Sequence, residues 1–422
     1  MPFALYLLGL AVFAQGTSEF MLSGLGPDIA RDLQVSIPAA GSLTSAFAVG
    51  MVVGAPLMAV VSRRWSRRRA LLFFLVAFLV VHVVGALTTS YAVLLVTRVV
   101  GALANAGFLA VALVTAVGMV DRTKTGRATS ALLGGVTMAC VVGVPAGAVL
   151  GQLWGWRSAF WAVAVVSVPA VFAILRALPP SSAAPAAGST GGVGAPGAGG
   201  GGGDARGVSV RAELRSLREP RLLVTLVLGA LVNGATFCTF TYLSPLVTGV
   251  TGLGTVWVPV MLALFGVGSF VGVTVGGRIA DVRPVPLLVA GGPALVVGWG
   301  VLAVTAGSPA AVTVLVLVQG ALSFAVGSTL VSRALYAATG APSLAGGFAT
   351  AALNVGAAAG PWCGGLAIAA GQGFRAPVWV SAGLVALALT TAGAGVAVAR
   401  VVARRRTAAG LSAARYGGRE YV

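Results

Sequence analysis

Twelve stretches of about 20 apolar residues, each long enough to cross the bilayer core as a helix, constrain this chain more than any other feature. They fall near residues 3–24, 39–61, 70–88, 91–119, 129–150, 158–178, 222–248, 255–276, 286–306, 309–338, 344–370 and 376–402. In lipid the backbone must satisfy its own polar groups, so stretches of this length fold as helices. At 422 residues the chain is long enough for two or three soluble domains. Yet 58% of it is hydrophobic, only 9% is charged and the mean hydropathy is +1.00, where soluble chains carry about 25% charge. The fold class is therefore all-α and integral to the membrane, with twelve transmembrane helices. The first stretch has no basic lead-in, carries Glu19 near its end and is followed by eleven more spans, so it is expected to stay uncleaved.

Charge sets the orientation. With both termini in the cytoplasm, 23 of the 27 Lys and Arg residues fall inside. They include Arg63, Arg64, Arg67, Arg68, Arg69, Arg122, Lys124 and Arg127. Only Arg31, Arg157 and Arg375 fall outside, and Arg98 lies within a span. This is the bias that cytoplasmic loops carry. The net charge of +18 is a basic face toward anionic inner-leaflet lipid; no separate basic domain asks for nucleic acid. Cys140, Cys238 and Cys363 stand alone in three different spans and read as small packing residues, not as disulfide or metal partners.

The chain repeats itself across a low-complexity segment, "PPSSAAPAAGSTGGVGAPGAGGGGGDARG" at 179–207, which has the composition of a flexible linker. "GQLWGWRSAFW" (151–161) finds its echo in "GQGFRAPVW" (371–379), about 220 residues on. "VVGA" after Arg98 likewise matches "VQGA" at 318–321. Two pseudo-symmetric six-helix halves are the simplest source of such a repeat. The expected organisation is an N-terminal half (1–178), a cytoplasmic linker with a short basic segment (179–220), a C-terminal half (221–402) and a basic cytoplasmic tail (403–422).

"GGVTMACVVGVPAGAVLGQ" (134–152) places five glycines and a proline inside the fifth span. A helix needed only as an anchor would not carry them, since each interior glycine costs up to about 1 kcal/mol and a proline about 3. Gly135, Ala139, Gly143, Gly147 and Gly151 recur every four residues as a ridge that lets another backbone come close. Similar ridges are Ala46, Gly50 and Gly54; Gly268, Gly272 and Gly276; and Ala352, Gly356, Gly360 and Gly364. Spans two, five, eight and eleven are thus expected to make the tight contacts at a rocking seam between the halves, with bends at Pro145 and Pro361.

These motifs resemble the major facilitator superfamily, and within it the twelve-span drug:proton antiporters. Gly135, Gly143, Pro145 and Gly147 are similar to that group's fifth-span motif, with a valine between the usually adjacent glycine and proline. "GGRIADVR", with Gly276, Gly277, Asp281 and Arg283, resembles the superfamily's loop motif; the matching "VVSRRWSRRRA" puts Arg63 where the acid is expected. "AVFAQGTSEFMLSGLGPDIARDL", "SAFAVGMVVGAPLMAV" and "RVVGALANAGFLAVAL" are similar to actinobacterial chloramphenicol-resistance exporters. The resemblance implies proton-coupled efflux of a small amphipathic drug such as chloramphenicol from the bacterial inner membrane. The fourth-span Arg98 matches the family arginine, although Gly101 and Ala102 stand where glutamine and glycine are usual.

Among the nine acids only Glu19 lies within a span, and among the Lys and Arg residues only Arg98. At 1.5 Å per residue they reach similar depth from the outer face. Charge at membrane depth is costly and marks a functional site by default. Desolvation favours a neutral carboxylic acid and an approaching cation the ionised form, so Glu19 is the expected proton-coupling group and Arg98 its electrostatic partner. For the drug, a largely apolar mid-membrane cavity is expected, with Asn105, Asn233, Asn354 and Gln319 as polar groups and Phe13, Phe108, Phe237, Phe240 and Tyr242 as aromatic wall. His82, alone in the third span, is assigned no role and is expected to be satisfied by a neighbouring backbone or hydroxyl group.

No catalytic constellation, metal-ligand spacing or nucleotide-binding loop occurs, so neither enzyme activity, metal, cofactor nor bound ATP is expected. The expected partners are the drug, protons and membrane lipid, without nucleic acid, and the chain is expected to act as a monomer. An exporter of a sugar or other metabolite, and a passive channel or membrane scaffold, remain as alternatives.

Overall fold

The structure is a computed structural model describing residues 3–62, 65–121, 125–177, 219–337 and 345–416. The linker over 179–218 and the arginines at 63 and 64 lie outside the described residues. So does the side chain of Asp281.

Among the described residues twelve helices are long and apolar enough to cross a membrane. They occupy Phe3–Phe20, Ile37–Met58, Arg67–Leu87, Tyr91–Gly118, Ala131–Trp154, Arg157–Arg176, Pro220–Thr241, Trp257–Ile279, Pro284–Thr305, Pro309–Ala337, Gly346–Gln372 and Ala376–Gly395. The departures from the expected boundaries have local causes. The first span stops at Phe20, and after Met21 a second helix, Leu22–Asp32, runs on. The seventh stops at Thr241 and resumes as Leu243–Gly249. The last helix continues to Tyr416, through the expected basic tail.

The fifth span is a composite: helix to Met138, one π turn over Ala139–Gly143, then helix Val144–Trp154. Pro145 has no N–H and its ring crowds the carbonyl four residues back, and the wider turn just before it is where the strain is taken up. The eleventh span keeps Pro361 within its helix and has its π turn later, at Ile368–Gln372. The bends of the two spans therefore do not coincide with corresponding prolines.

The four small-residue ridges do bring backbones together, but their glycines face partners in their own half; the spans that carry them do form the seam as expected, the second with the eleventh and the fifth with the eighth. A Cβ added at Gly135 would meet the Gly9 carbonyl, at Gly143 Thr17, and at Gly151 Leu25, so the fifth span lies on the first. Gly50 and Gly54 face Ala102 and Ala106 of the fourth span. In the other half Gly268, Gly272 and Gly276 meet Leu317, Ala321 and Ala325 of the tenth span, while Gly356 and Gly360 meet Ala230 and Gly234 of the seventh. The pairs one–five and two–four thus recur as seven–eleven and eight–ten, which is the packing of a repeated unit. Without water to drive association, such close van der Waals contact is what holds helices together in lipid.

At the arginine-poor end a polar clamp ties the first half together. Arg157 donates to the Asp32 carboxylate (2.6 Å) and to the Thr88 carbonyl (2.9 Å), and Trp156 Nε1 donates to the same carboxylate (3.1 Å). The guanidinium also lies over the Trp156 ring. The Arg157 hydrogen bond holds the Asp32 carboxyl below its ordinary range.

Packing and clamp each lead to an expected outcome. Gly360→Ala forces a methyl onto the Gly234 carbonyl, and overpacking of this kind costs about 1–3 kcal/mol; thermal unfolding in detergent will show a lower Tm, whereas Gly327→Ala, at a site with open space, will not. The Asp32 contribution is complete above the unfolded carboxylate value near 4 and is lost as pH falls through its depressed native value. Tm measured against pH will therefore drop at the acid end in the wild type, and Asp32→Asn will lower Tm at neutral pH and flatten that drop.

Candidate functional site

The mid-membrane ionic site is built by the first, third and fourth spans. Arg98 is 2% exposed. Its Nη1 donates to Ser18 Oγ and its Nη2 to the Ser18 carbonyl, each at 2.8 Å, and its guanidinium lies 4.4 Å over the Phe47 ring of the second span. The Ser18 carbonyl is among the last four of its helix, which have no in-helix partner, and a cation there also meets the negative end of the helix dipole. The break after Phe20 and the arginine on the fourth span are thus complementary.

His82 extends the network. Its Nδ1 lies 2.6 Å from the Phe78 carbonyl, which only accepts, so Nδ1 carries the hydrogen. Nε2 is then the acceptor for the Ser18 hydroxyl at 2.6 Å. Hydrogen bonds run in one direction, from Arg98 to Ser18 to His82 to Phe78. Glu19, the next residue after Ser18, is half-buried and has neither a hydrogen bond nor an ion pair with any described residue. Acid and cation are neighbours, but it is Ser18 that binds the arginine. Ser18 and Phe47 are the members that sequence reading passed over; His82 was given no role there, and its expected partners, a backbone carbonyl and a hydroxyl, are Phe78 and Ser18.

The expected cavity residues divide. Phe237 stacks on Phe20 of the first span at 5.5 Å between centroids and meets Phe240 edge-on, and Phe240 packs on Phe265. An aromatic run therefore crosses from one half to the other. Phe13 is half-buried. Asn105 is buried, and its amide bonds to no described residue. The others face elsewhere. Phe108 is fully buried in the core of the first half with Phe74 and Leu8. Asn233 donates to the Leu353 carbonyl of the eleventh span (2.7 Å), Asn354 to Thr350 of its own helix, and Gln319 to Leu295 of the ninth span. The Tyr242 hydroxyl donates to the Pro361 carbonyl (2.9 Å), with its ring against Gly41 and Gly365.

The halves meet along two seams. The fifth and eighth spans touch where Gly266 packs on the Cys140 carbonyl, and Gln152 donates to the Thr255 carbonyl at 2.6 Å. The second and eleventh spans form the other, with Gly365 against Pro38. Several of these contacts lie toward the arginine-poor end. Farther along the second seam is an almost wholly apolar cavity of about 430 Å³, lined among others by Ser45, Val49, Val53, Val355 and Trp362. Those valines and Trp362 are exposed. None of the expected drug-binding residues lines it.

Two pseudo-symmetric six-helix halves, with a buried arginine site in one of them, are the architecture of a secondary transporter. Residues 8–346 match the profile of the Major Facilitator Superfamily. The chain belongs to that family. It is 55% identical over 392 residues to a chloramphenicol resistance protein of Streptomyces lividans, covering 93% of this chain and 96% of that one. It is 31% identical to a chloramphenicol efflux pump of Mycobacterium tuberculosis, covering 91% and 90%. Among solved structures it resembles a bacterial homologue of the human lysosomal transporter Spinster, crystallised inward-facing and unoccupied. That match has a TM-score of 0.69 at 16% identity and covers 92% of this chain and 94% of that one.

The Gln152–Thr255 contact gives a direct check. In the double variant Gln152→Cys/Thr255→Cys, a short bifunctional maleimide will link the two halves in resting membranes and stop transport, while either single cysteine treated alike will not.

Proposed function

We propose that this protein is a proton-coupled exporter of small amphipathic drugs, chloramphenicol first among them, working by alternating access in a bacterial inner membrane with both termini in the cytoplasm. The drug assignment draws on the relative from Streptomyces lividans and the mycobacterial pump. The orientation draws on the arginine bias.

The observation that carries the coupling is the one at Ser18. Because Arg98 is held there, Glu19 remains a mid-membrane carboxyl without an ion-pair partner among the described residues, able to take and release a proton as the surrounding contacts change. Proton loading and drug expulsion alternate as the halves rock about the two seams; the arginine-poor end is the closed, outer side of this state. Expelling a neutral drug for one proton moves one net charge, worth about 2.3 kcal/mol per 100 mV. Phe13, Asn105, Phe237 and Phe240 are the drug contacts this reading favours. Gly276, Gly277, Asp281 and Arg283 form the loop motif that changes with conformation, and Gly135, Gly143, Pro145 and Gly147 the fifth-span motif. The two halves, 1–178 and 221–402, move as units joined by the linker, in a protein that acts as a monomer without cofactor or ATP and performs no catalysis.

The test is chloramphenicol accumulation in cells expressing the protein, with and without a protonophore. Wild-type cells will accumulate little until the protonophore is added, and cells with Glu19→Gln will accumulate several-fold more without it. Accumulation unchanged by both treatments would overturn the proposal.

A further inference from the structure

The site around Ser18 contains a buried ring, His82, that takes no part in proton exchange at Glu19. We infer, on the basis of the proton-coupled function proposed for Glu19, that His82 is a positioning residue: through Ser18 it holds the Arg98 guanidinium off the Glu19 carboxyl.

Ser18 has one hydroxyl hydrogen and two groups competing to define its direction. His82 fixes it. The ring is 2% exposed and is packed beside Phe78 and Phe160, with centroids at 4.1 and 5.8 Å. Its Nδ1–H is committed to the Phe78 carbonyl, which leaves Nε2 as an acceptor aimed at Ser18 Oγ. With the hydrogen drawn toward the third span, the oxygen lone pairs are presented to Arg98. Remove that acceptor and the hydroxyl has a local alternative, the carbonyl one turn back along its own helix, as Thr17 already uses with Phe13.

The consequence falls on the arginine. A buried cation that loses a partner is strongly unfavourable until it finds another, and the anion nearest in sequence to Ser18 is Glu19. Arg98 Nε is buried and already without a partner, so a donor stands free for the carboxylate. An Arg98–Glu19 ion pair would hold Glu19 ionised and end its use as a proton carrier, without touching the aromatic run that crosses between the halves. In the C-terminal half the seventh and tenth spans, which correspond to the first and fourth, carry no such charge: Gln319, near the position that corresponds to Arg98, donates to the Leu295 carbonyl of the ninth span.

The experiment compares protonophore-sensitive chloramphenicol export in cells with chloramphenicol binding by the purified full chain. His82→Phe keeps the ring volume and removes the acceptor. Export will fall about tenfold or more, the effect of losing one hydrogen bond to a charged group, while Kd for chloramphenicol stays within about threefold. His82→Gln, whose amide oxygen reaches the place of Nε2, will restore most of the export. Should His82→Phe not fold, Ser18→Ala removes the same link and will give the same split between export and binding. Export at the wild-type rate in these variants, export and binding falling together, or no restoration by His82→Gln would each overturn the inference. Glu19→Gln is measured alongside. Protonophore-sensitive export retained there overturns proton coupling through Glu19 itself, whereas loss there with wild-type export in His82→Phe overturns only the role of His82.

Discussion

Everything in this bundle depends on backbones touching at small-residue ridges. In lipid, apolar side chains gain little by leaving one hydrocarbon environment for another, so packing and a few hydrogen bonds must hold the helices. Glycines of the fifth span rest on the first and those of the eleventh on the seventh. The second and eighth spans rest in the same way on the fourth and tenth. Each half is thereby made rigid from within. The halves meet where the second span packs on the eleventh and the fifth on the eighth, with a polar bridge at Gln152 and an apolar cavity beside Trp362.

Within the stiff N-terminal half the polar site solves two problems with one arginine. The first span ends at Phe20, and the carbonyls of its last turn lie buried in protein and must find donors there. Arg98 serves the Ser18 carbonyl and is itself balanced by a helix end, by Ser18 Oγ and by the Phe47 face. The adjoining acid is left over. Asymmetry between otherwise repeated halves then has a physical meaning: ionic chemistry on one side, hydroxyl pairs on the other, and between them an aromatic run from Phe20 through Phe237 to Phe240 and Phe265.

Much of this was legible in the residues. Hydropathy located all twelve spans, and the four-residue period of Gly135, Gly143, Gly147 and Gly151 identified a ridge. What periodicity does not contain is the identity of the partner, so the ridge glycines, expected at the seam, pack inside the halves, although the spans that carry them do form the seams. Depth was likewise readable for Glu19 and Arg98, because rise per residue is fixed, but the direction of each side chain around its helix was not. Ser18 was therefore missed although it adjoins Glu19. Asn233, Gln319 and Tyr242 illustrate the same limit: they were read as candidates for the drug cavity, and their bonds to Leu353, Leu295 and Pro361, which join helices, could not be read from the residues alone. The break at Met21 and the π turn before Pro145 lie where propensity marks a disturbance without stating its form.

The measurement that bears most directly on coupling through Glu19 is proton flux driven by the drug alone. Purified protein is reconstituted into vesicles holding a pH-sensitive dye, with no initial proton gradient, and a chloramphenicol gradient is imposed. Coupling at this carboxyl predicts proton movement opposite to the drug in the wild type and none with Glu19→Gln. Drug movement without proton flux, or the same flux with Glu19→Gln, would contradict it.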